Sequence, residues 1–555
     1  MGDGATFDSG DALSPSLSTV NLVHLCGSAR FVALNKMEAY YRCRQYDHLR
    51  YDWDGRMRGY GQVADISPGW YVPLGQRRPA ARYDLALLIV SRFTAMVFGG
   101  DRFPQLVVEG DDDAQDYVSE LARVARLPSK MQELRNNGGA QGTAVASFGF
   151  VDGKPRVNVH NAKHITVLRW ADRHEHRPAE VLESYAYPRT VWDVKNGRPK
   201  EVTMYFARYW SDQVEITWDP IPDELARGPS WQNAVKRVEI HHGYGFCPVY
   251  WVQNKPESDS EDGDSDFEGR CDKFDEINKL LSATNKGTIA NVDPTLVIKD
   301  DPATANTGTV RKGSAHAIYS KGGAEYLELR GDSLRAALEL LKELKQQELD
   351  TAGVVLGDPD KMAASVQSAA ALRMLYMPMI SQADVLRDQY GTFMVQLLTG
   401  MLRAAKMIEG QEPGEVFTTA DGQRMQNKPT VLLPPRAVET EGGQVMEPRN
   451  PGQSENITLN WPPYFPNTWA DVKQAIEGVQ AARGNSGAII SRRTAVENVA
   501  PLLGIADVAA ELEAMEDDKA ADIAMMQESM GGMDDSQPPG PAAPPGKTTP
   551  KEDGE

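Results

Sequence analysis

The chain has 555 residues, with 59 Lys plus Arg against 78 Asp plus Glu, a formal charge of −19. At about 150 residues per domain this makes three or four domain-sized units, which excludes a peptide hormone or a lone binding module. The acidic balance excludes a surface that is basic throughout, and 41% hydrophobic with 25% charged residues excludes a mostly disordered chain.

Residues 1–30 are small and polar, with Gly2, Gly4, Ser9, Gly10, Ser14, Pro15 and Ser16, and read as a flexible arm, order beginning near Phe31. In Arg82 to Phe98 the residues Leu85, Leu88, Ile89, Phe93 and Met96 recur at three- and four-residue steps, which predicts a helix with one buried face. A second helix is predicted over Asp112 to Asn136. From Ala144 to Asn254 the pattern turns alternating and aromatic, as strands require, and VTMYFARYW with VEITW around Ser211 to Gln213 predicts a hairpin. Residues 31 to about 256 therefore read as a mixed α+β lobe with an antiparallel sheet.

The acid-rich run Glu257 to Glu268 lacks the ligand pattern of a calcium loop. Counting from Asp259, the fifth position is Gly263 and the twelfth is Arg270, so two ligands fail and a solvated acidic loop is expected. Cys271 to Val292 is periodic and stops before Pro294, which cannot continue a helix. Residues 293–331 carry short β-like runs between glycines. A second clean helix opens at Asp332 or Ser333, with Leu334, Ala337, Leu338, Leu341 and Leu344 on one stripe, and ends at Gly353. Residues 353–363 read as a loop with Gly357 and Pro359. From Met362 to Glu409 helical periodicity returns, with Pro378 expected to kink it midway. Residues 411–460 are Gly- and Pro-rich with short strands, two more helices fall within 461–520, and 521–555 is expected to be a disordered tail, the stretch beyond about Met530 lacking apolar residues to bury.

Searches for chemistry fail one after another. Five residues, three of them proline, separate Gly540 from Gly546 before Lys547 and Thr548, so no phosphate loop forms there. His160 with His164, His174 with His176, and His241 with His242 lack metal-ligand spacing and read as surface or strand-end residues. No GxSxG and no strand-linked GxGxxG occurs. Cys26, Cys43, Cys247 and Cys271, none in a CxxC pair, are too few for a disulfide-stapled secreted fold, so a reducing compartment is expected. No run of 18 apolar residues exists and the acidic Met1 to Asp11 is no signal peptide, so no membrane contact is expected. Neither cofactor nor metal nor catalysis is expected. A hydrolase with scattered carboxylates and a shorter adaptor-type head component are the alternatives.

Three segments in this order resemble the portal proteins of tailed bacteriophages, of siphovirus type. They are YYRCRQYDHLRYDWDGR near Tyr40 to Arg56, SVQSAAALRMLYMPMISQADVLRDQYGTFM at Ser365 to Met394, and NWPPYFPNTWADVKQAIEGVQAARGNSGAIISRRTAVENV at Asn460 to Val499. The family often has glycine where this chain has Ala369.

The resemblance implies an α+β portal fold with wing 31–270, stem helices 271–292 and 332–352, clip 293–331, tunnel loop 353–363, long kinked helix 364–410, a wing and crown connection 411–460 and crown 461–520. It implies a homo-oligomeric ring, dodecameric in the virion, at one capsid vertex, assembled in the host cytoplasm. Double-stranded DNA would pass through it in packaging and ejection. The implied partners are the major capsid protein, a scaffolding protein, the terminase large subunit and a neck or adaptor protein. By position, Val354, Val355, Leu356, Asp358 and Lys361 are channel candidates in the loop, and Lys299, Arg311, Lys312 and Lys321 are basic candidates in the clip. Leu334, Leu338, Leu341 and Leu344 are expected to pack the stem. The −19 balance suits a conduit, because a wall dense in Lys and Arg would grip phosphates rather than let them slide.

Overall fold

The computed structural model describes residues 17, 19–53, 72–151, 153–193, 197–228, 231–292, 295–298, 324–327, 331–356, 373–410, 416–418, 424–426, 431, 433–440 and 443–465, with isolated helical positions from 473 to 519. The chain divides into two compact units, one made of residues 1–366 and 370–464, the other of 367–369 and 465–555. Everything below concerns the first unit.

Its helices are α1 (Leu22–Leu25), α2 (Ala29–Tyr41), α3 (Leu85–Phe98), α4 (Asp112–Val124), α5 (Leu127–Gln141), α6 (Asp223–Ala226), α7 (Trp231–Ala234), α8 (Cys271–Val292), α9 (Gly331–Thr351) and α10 (Met377–Gly410). Its strands are β1 (Gln105–Val108), β2 (Thr143–Val151), β3 (Lys154–His160), β4 (Ile165–Asp172), β5 (Arg177–Asp193), β6 (Arg198–Trp210), β7 (Val214–Trp218), β8 (Ile221–Pro222), β9 (Arg237–His241) and β10 (Val249–Gln253). Further along come β11 (Thr295–Ile298), β12 (Ala324–Leu327), β13 (Val416–Thr418), β14 (Arg424–Gln426), β15 (Arg436–Thr440), β16 (Gly443–Glu447) and β17 (Ile457–Asn460).

Two antiparallel sheets build the body. One runs β10-β2-β3, and the other runs β4-β5-β6-β7-β9 with β8 added on β6. Strand β10 is buried at every position and β2 over most of its length, so they form the floor on which the helices lie. Helix α3 buries Leu85, Ile89, Val90, Phe93, Val97 and Phe98 on a broad face against α5 and α10, and leaves Leu87, Ser91, Arg92 and Ala95 exposed on the other side. Two glycines allow this closeness: a Cβ at Gly138 would overlap the Tyr390 hydroxyl of α10, and one at Gly400 would overlap the Tyr250 hydroxyl of β10. The hairpin over Ser211 to Gln213 forms between β6 and β7, Ser211 Oγ accepting from Gln213 N at 3.2 Å and Val214 N at 3.1 Å.

Three expectations need correction. The segment 17–30, expected as a flexible arm, is part of the core: Leu17 and Leu22 are fully buried among Tyr209, Trp218 and Trp231. Trp231 Nε1 donates to Val20 O at 2.9 Å and Gln232 Nε2 to Leu17 O at 2.9 Å, so the chain entry is stitched down at its backbone. The helix predicted over 112–136 is two helices, α4 and α5, parted at Arg126, whose φ is 54°. Pro128 has no N–H and takes a first-turn place in α5, where none is needed.

Pro378, expected to kink the long helix, sits in the first turn of α10, and the helical run is interrupted just before it at Tyr376, with residues 373–375 helical on the other side. The acidic run 257–268 is not merely solvated. Asp266 is buried against the wholly buried Arg135, with Nη2 donating to its carboxylate oxygens at 2.9 and 3.1 Å. Asn254 Nδ2 donates to the same carboxylate at 3.1 Å, and Tyr390 Oη donates to Asn254 Oδ1 at 3.0 Å. Asp262 meets Arg30 in a fork of 2.6 and 2.8 Å, joining α2 to this loop.

Candidate functional site

Helices α8 and α9 pack together and are joined through the antiparallel hairpin β11–β12, in which Thr295 faces Leu327 and Ile298 faces Ala324. The start of α8 is fixed in the body by polar clamps. Tyr40 Oη and Tyr46 Oη donate to the two oxygens of Asp275 at 2.9 and 2.7 Å, and burial, with that carboxylate beside them, raises both phenols above their usual range. The buried Asn278 accepts from Tyr83 N at 2.7 Å and donates to Tyr46 Oη at 3.1 Å. Ser282 Oγ accepts from Ala81 N at 3.1 Å. Phe274 and Ile277, both buried, fill the apolar side of the same face.

The far end of α9 is equally fixed. Glu348, 2% exposed, lies between Lys273 Nζ at 2.9 Å and Arg270 Nη1 at 3.7 Å, and Arg270 Nη2 donates to Thr351 O at 2.9 Å, satisfying a terminal carbonyl. Gly353, φ +71°, then reverses the chain: Gly353 N donates to Asp350 O at 3.0 Å and Val354 N to Leu349 O at 2.9 Å, the paired bonds of a Schellman stop.

The predicted packing stripe divides. Leu341 is buried, Leu334 and Leu344 are half-buried, and Leu334 lies over Gly287 of α8, where an added Cβ would stand 3.6 Å from its Cδ1. Leu338, expected on the same stripe, is 49% exposed, and Leu340 is 48% exposed. At about 100° per residue, Leu338 lies roughly 60° to one side of Leu341 and Leu340 roughly 100° to the other. Ile289 on α8 is exposed as well. The pair thus carries an inner seam made within the chain and two apolar flanks that the described residues do not cover.

Among the channel candidates, Val354 is buried and its N–H serves the helix stop, and Val355 and Leu356 are half-buried. Asp358 and Lys361, and the clip candidates Lys299, Arg311, Lys312 and Lys321, lie outside the described residues.

One arrangement has the outline of hydrolytic chemistry. Ser147 Oγ is 2.8 Å from His160 Nε2, and His160 Nδ1 is 3.3 Å from Glu183 Oε1. Ser147 is 2% exposed and His160 7%, so no substrate reaches the hydroxyl, and the trio satisfies buried polar groups between β2, β3 and β5. His160, expected as a surface or strand-end residue, does end β3 but is buried. Among the described residues no His, Cys, Asp and Glu cluster could hold a metal ion, and no helix is long and apolar enough to cross a membrane.

The Trp-Pro-Pro-Tyr lead-in at 461–464 docks on α10. The Arg387 guanidinium lies 3.7 Å from the Tyr464 ring centre and 4.9 Å from that of Trp461, and Nη1 donates to Pro462 O at 3.0 Å. Arginine over aromatic faces at this range is a cation–π clamp. Sequence reading missed Arg387, Arg135 and Arg30; helical spacing from Tyr390 was the one available signal, and only for the first.

The described chain is an α+β body carrying an anchored helix pair whose flanks expose apolar side chains. The family described as phage portal protein, SPP1 Gp6-like, matches residues 84–525, and the chain belongs to this family of ring-forming capsid-vertex proteins for DNA packaging. The α+β portal fold expected from the resemblance stands with that match. No curated protein matches the chain. Residues 17–53 precede the matched span yet supply Leu17, Leu22 and Arg30 to the body.

Proposed function

We propose that α8 and α9 are the stem of the portal, β11–β12 the base of its clip, and that copies stand side by side through the two flanks of α9 in a closed ring, dodecameric in the virion. The observation that carries this is the exposure of Leu338 and Leu340 on opposite sides of a seam already filled by Leu334, Leu341 and Leu344. A flank that meets a different flank of the next copy is a heterologous contact, which stays finite only when its rotation closes. Double-stranded DNA then runs through the axis in packaging and ejection. A wall of low cation density suits that role, since few phosphates are held at once.

In this reading the ring docks the terminase large subunit, which supplies the ATP hydrolysis, and receives the neck or adaptor protein. With the scaffolding and major capsid proteins it nucleates the head. The portal itself hydrolyses nothing. Negative-stain images of the purified chain are expected to show rings with a central hole. Leu338→Asp is expected to abolish them while circular dichroism stays unchanged. A wild-type chain that stays monomeric at every concentration and salt, or a Leu338→Asp chain that still forms rings, would overturn the reading.

A further inference from the structure

Strands β5 and β6 outrun the sheet that contains them. The pairing of β4 with β5 stops at Ile165 opposite Glu183, β8 reaches only Met204 and Tyr205, and β7 only residues 208–210 of β6. From Pro188 opposite Thr203 to Asp193 opposite Arg198, the two strands pair with each other alone among the described residues. Six residue pairs at about 3.4 Å each make a ribbon roughly 20 Å long. An isolated two-stranded ribbon is marginally stable in water, so one that extends this far needs support beyond the described residues.

Its two faces differ. Alternation places Tyr185, Tyr187, Arg189 and Val191 of β5 on one face, opposite Phe206, Met204, Val202 and Lys200 of β6. Tyr185 stacks on Phe206 with ring centres 4.9 Å apart, and Tyr187, Met204 and Val202 remain half-exposed. Beyond them Val191 is 43% exposed, and Arg189, Arg198 and Lys200 are exposed, three cations on that face. Aromatic, Met and Arg side chains grouped in this way are the composition of a protein contact.

The edges exclude strand addition. Pro188 and Pro199 fall in register pairs of the same parity, Pro188 with Thr203 and Trp192 with Pro199. Having no N–H, each occupies a position whose nitrogen points away from the partner strand, so each outer edge is interrupted by a proline. Contact must therefore be made through the side-chain face.

We infer that this ribbon face, Tyr187, Arg189, Val191, Lys200, Val202 and Met204, docks on the next copy of the same chain in the ring. Charge selects that occupant. The chain carries 78 acids to 59 bases, so a neighbouring copy offers an acidic surface to a locally basic tip. The inference rests on the ring reading and adds a second junction, in the body, to the one proposed at α9.

The test uses the full chain. A photoreactive phenylalanine analogue at Val191 is expected to give chain-to-chain dimers and a ladder above them on illumination of assembled rings, with far less from Thr190 on the opposite face. Reversal of Arg189, Arg198 and Lys200 to Glu is expected to raise the half-assembly concentration at least about ten-fold, with an unchanged melting profile. Rings that give no dimers from position 191, a cross-link from 191 to DNA instead of protein, or a triple reversal that assembles at the wild-type concentration would each overturn the inference. If the wild-type chain forms no rings, the ring reading falls with it, so the two failures are distinguishable.

Discussion

Asp266 stands in a run of acids whose composition suggests only solvation, yet it is the counter-charge of an arginine with no exposed surface. Removing one partner of such a pair leaves a buried charge alone, and Asp266→Ala is expected to destabilise the body by about 3–5 kcal/mol. The double change Arg135→Leu with Asp266→Leu is expected to lose much less, because no charge is stranded. Denaturant unfolding followed by tryptophan emission measures both. His164 gives a pH handle on the same body. Burial, chiefly, with Lys163 beside it, lowers its pKa to about 4, and its Nδ1 has no hydrogen-bond partner. Unfolded, the imidazole titrates near 6.5. Between pH 6.5 and 4 the unfolded chain thus binds a proton that the folded chain does not, so the contribution is full above pH 6.5 and declines as pH falls toward 4. His164→Phe, in a place already lined by Phe31 and Tyr185, is expected to flatten that part of the decline in melting temperature. Equal pH slopes for both proteins would contradict it.

Helix ends carry the second scale. Gly353 ends α9 in a left-handed conformation, and a Cβ there would overlap the Gln382 side chain. Gly353→Ala is expected to cost about 1–2 kcal/mol locally, read as faster amide exchange over the last turn of α9, residues 348–352, with the core strands unchanged. That stop was legible, as were α8, α9 and the β6–β7 hairpin, because each is set by local periodicity and turn chemistry. What was not legible depends on distant partners. Leu17 and Leu22 look like an arm until Trp218 and Trp231, some 200 residues on, give them a core. The 3.6 period placed Leu338 and Leu341 together, but burial separates them, since period alone cannot say where a stripe narrows to a seam.

At the scale of the molecule, the ring-forming family was legible in ordered motifs, and Leu338 was legible as a stem residue, while the division of α9 into an inner seam and open flanks was not, because a surface becomes an interface only against another copy. The flanks of α9 supply a test of how such copies meet. If the Leu338 flank of one copy packs on the Leu340 flank of the next, every junction uses one flank of each kind. A Leu338→Asp chain keeps its Leu340 flank intact, and a Leu340→Asp chain keeps its Leu338 flank. Neither assembles alone, but mixed in equal amounts they can form one sound junction per pair and no second. Mass photometry of the mixture is therefore expected to show dimers that do not grow, at concentrations where each variant alone is monomeric and the wild type is in rings. Had like flanks met like, the Leu340→Asp chain would dimerise by itself through its Leu338 flanks and the mixture would gain nothing. Dimers of a single variant would thus refute the heterologous ring, whereas dimers found only in the mixture require it.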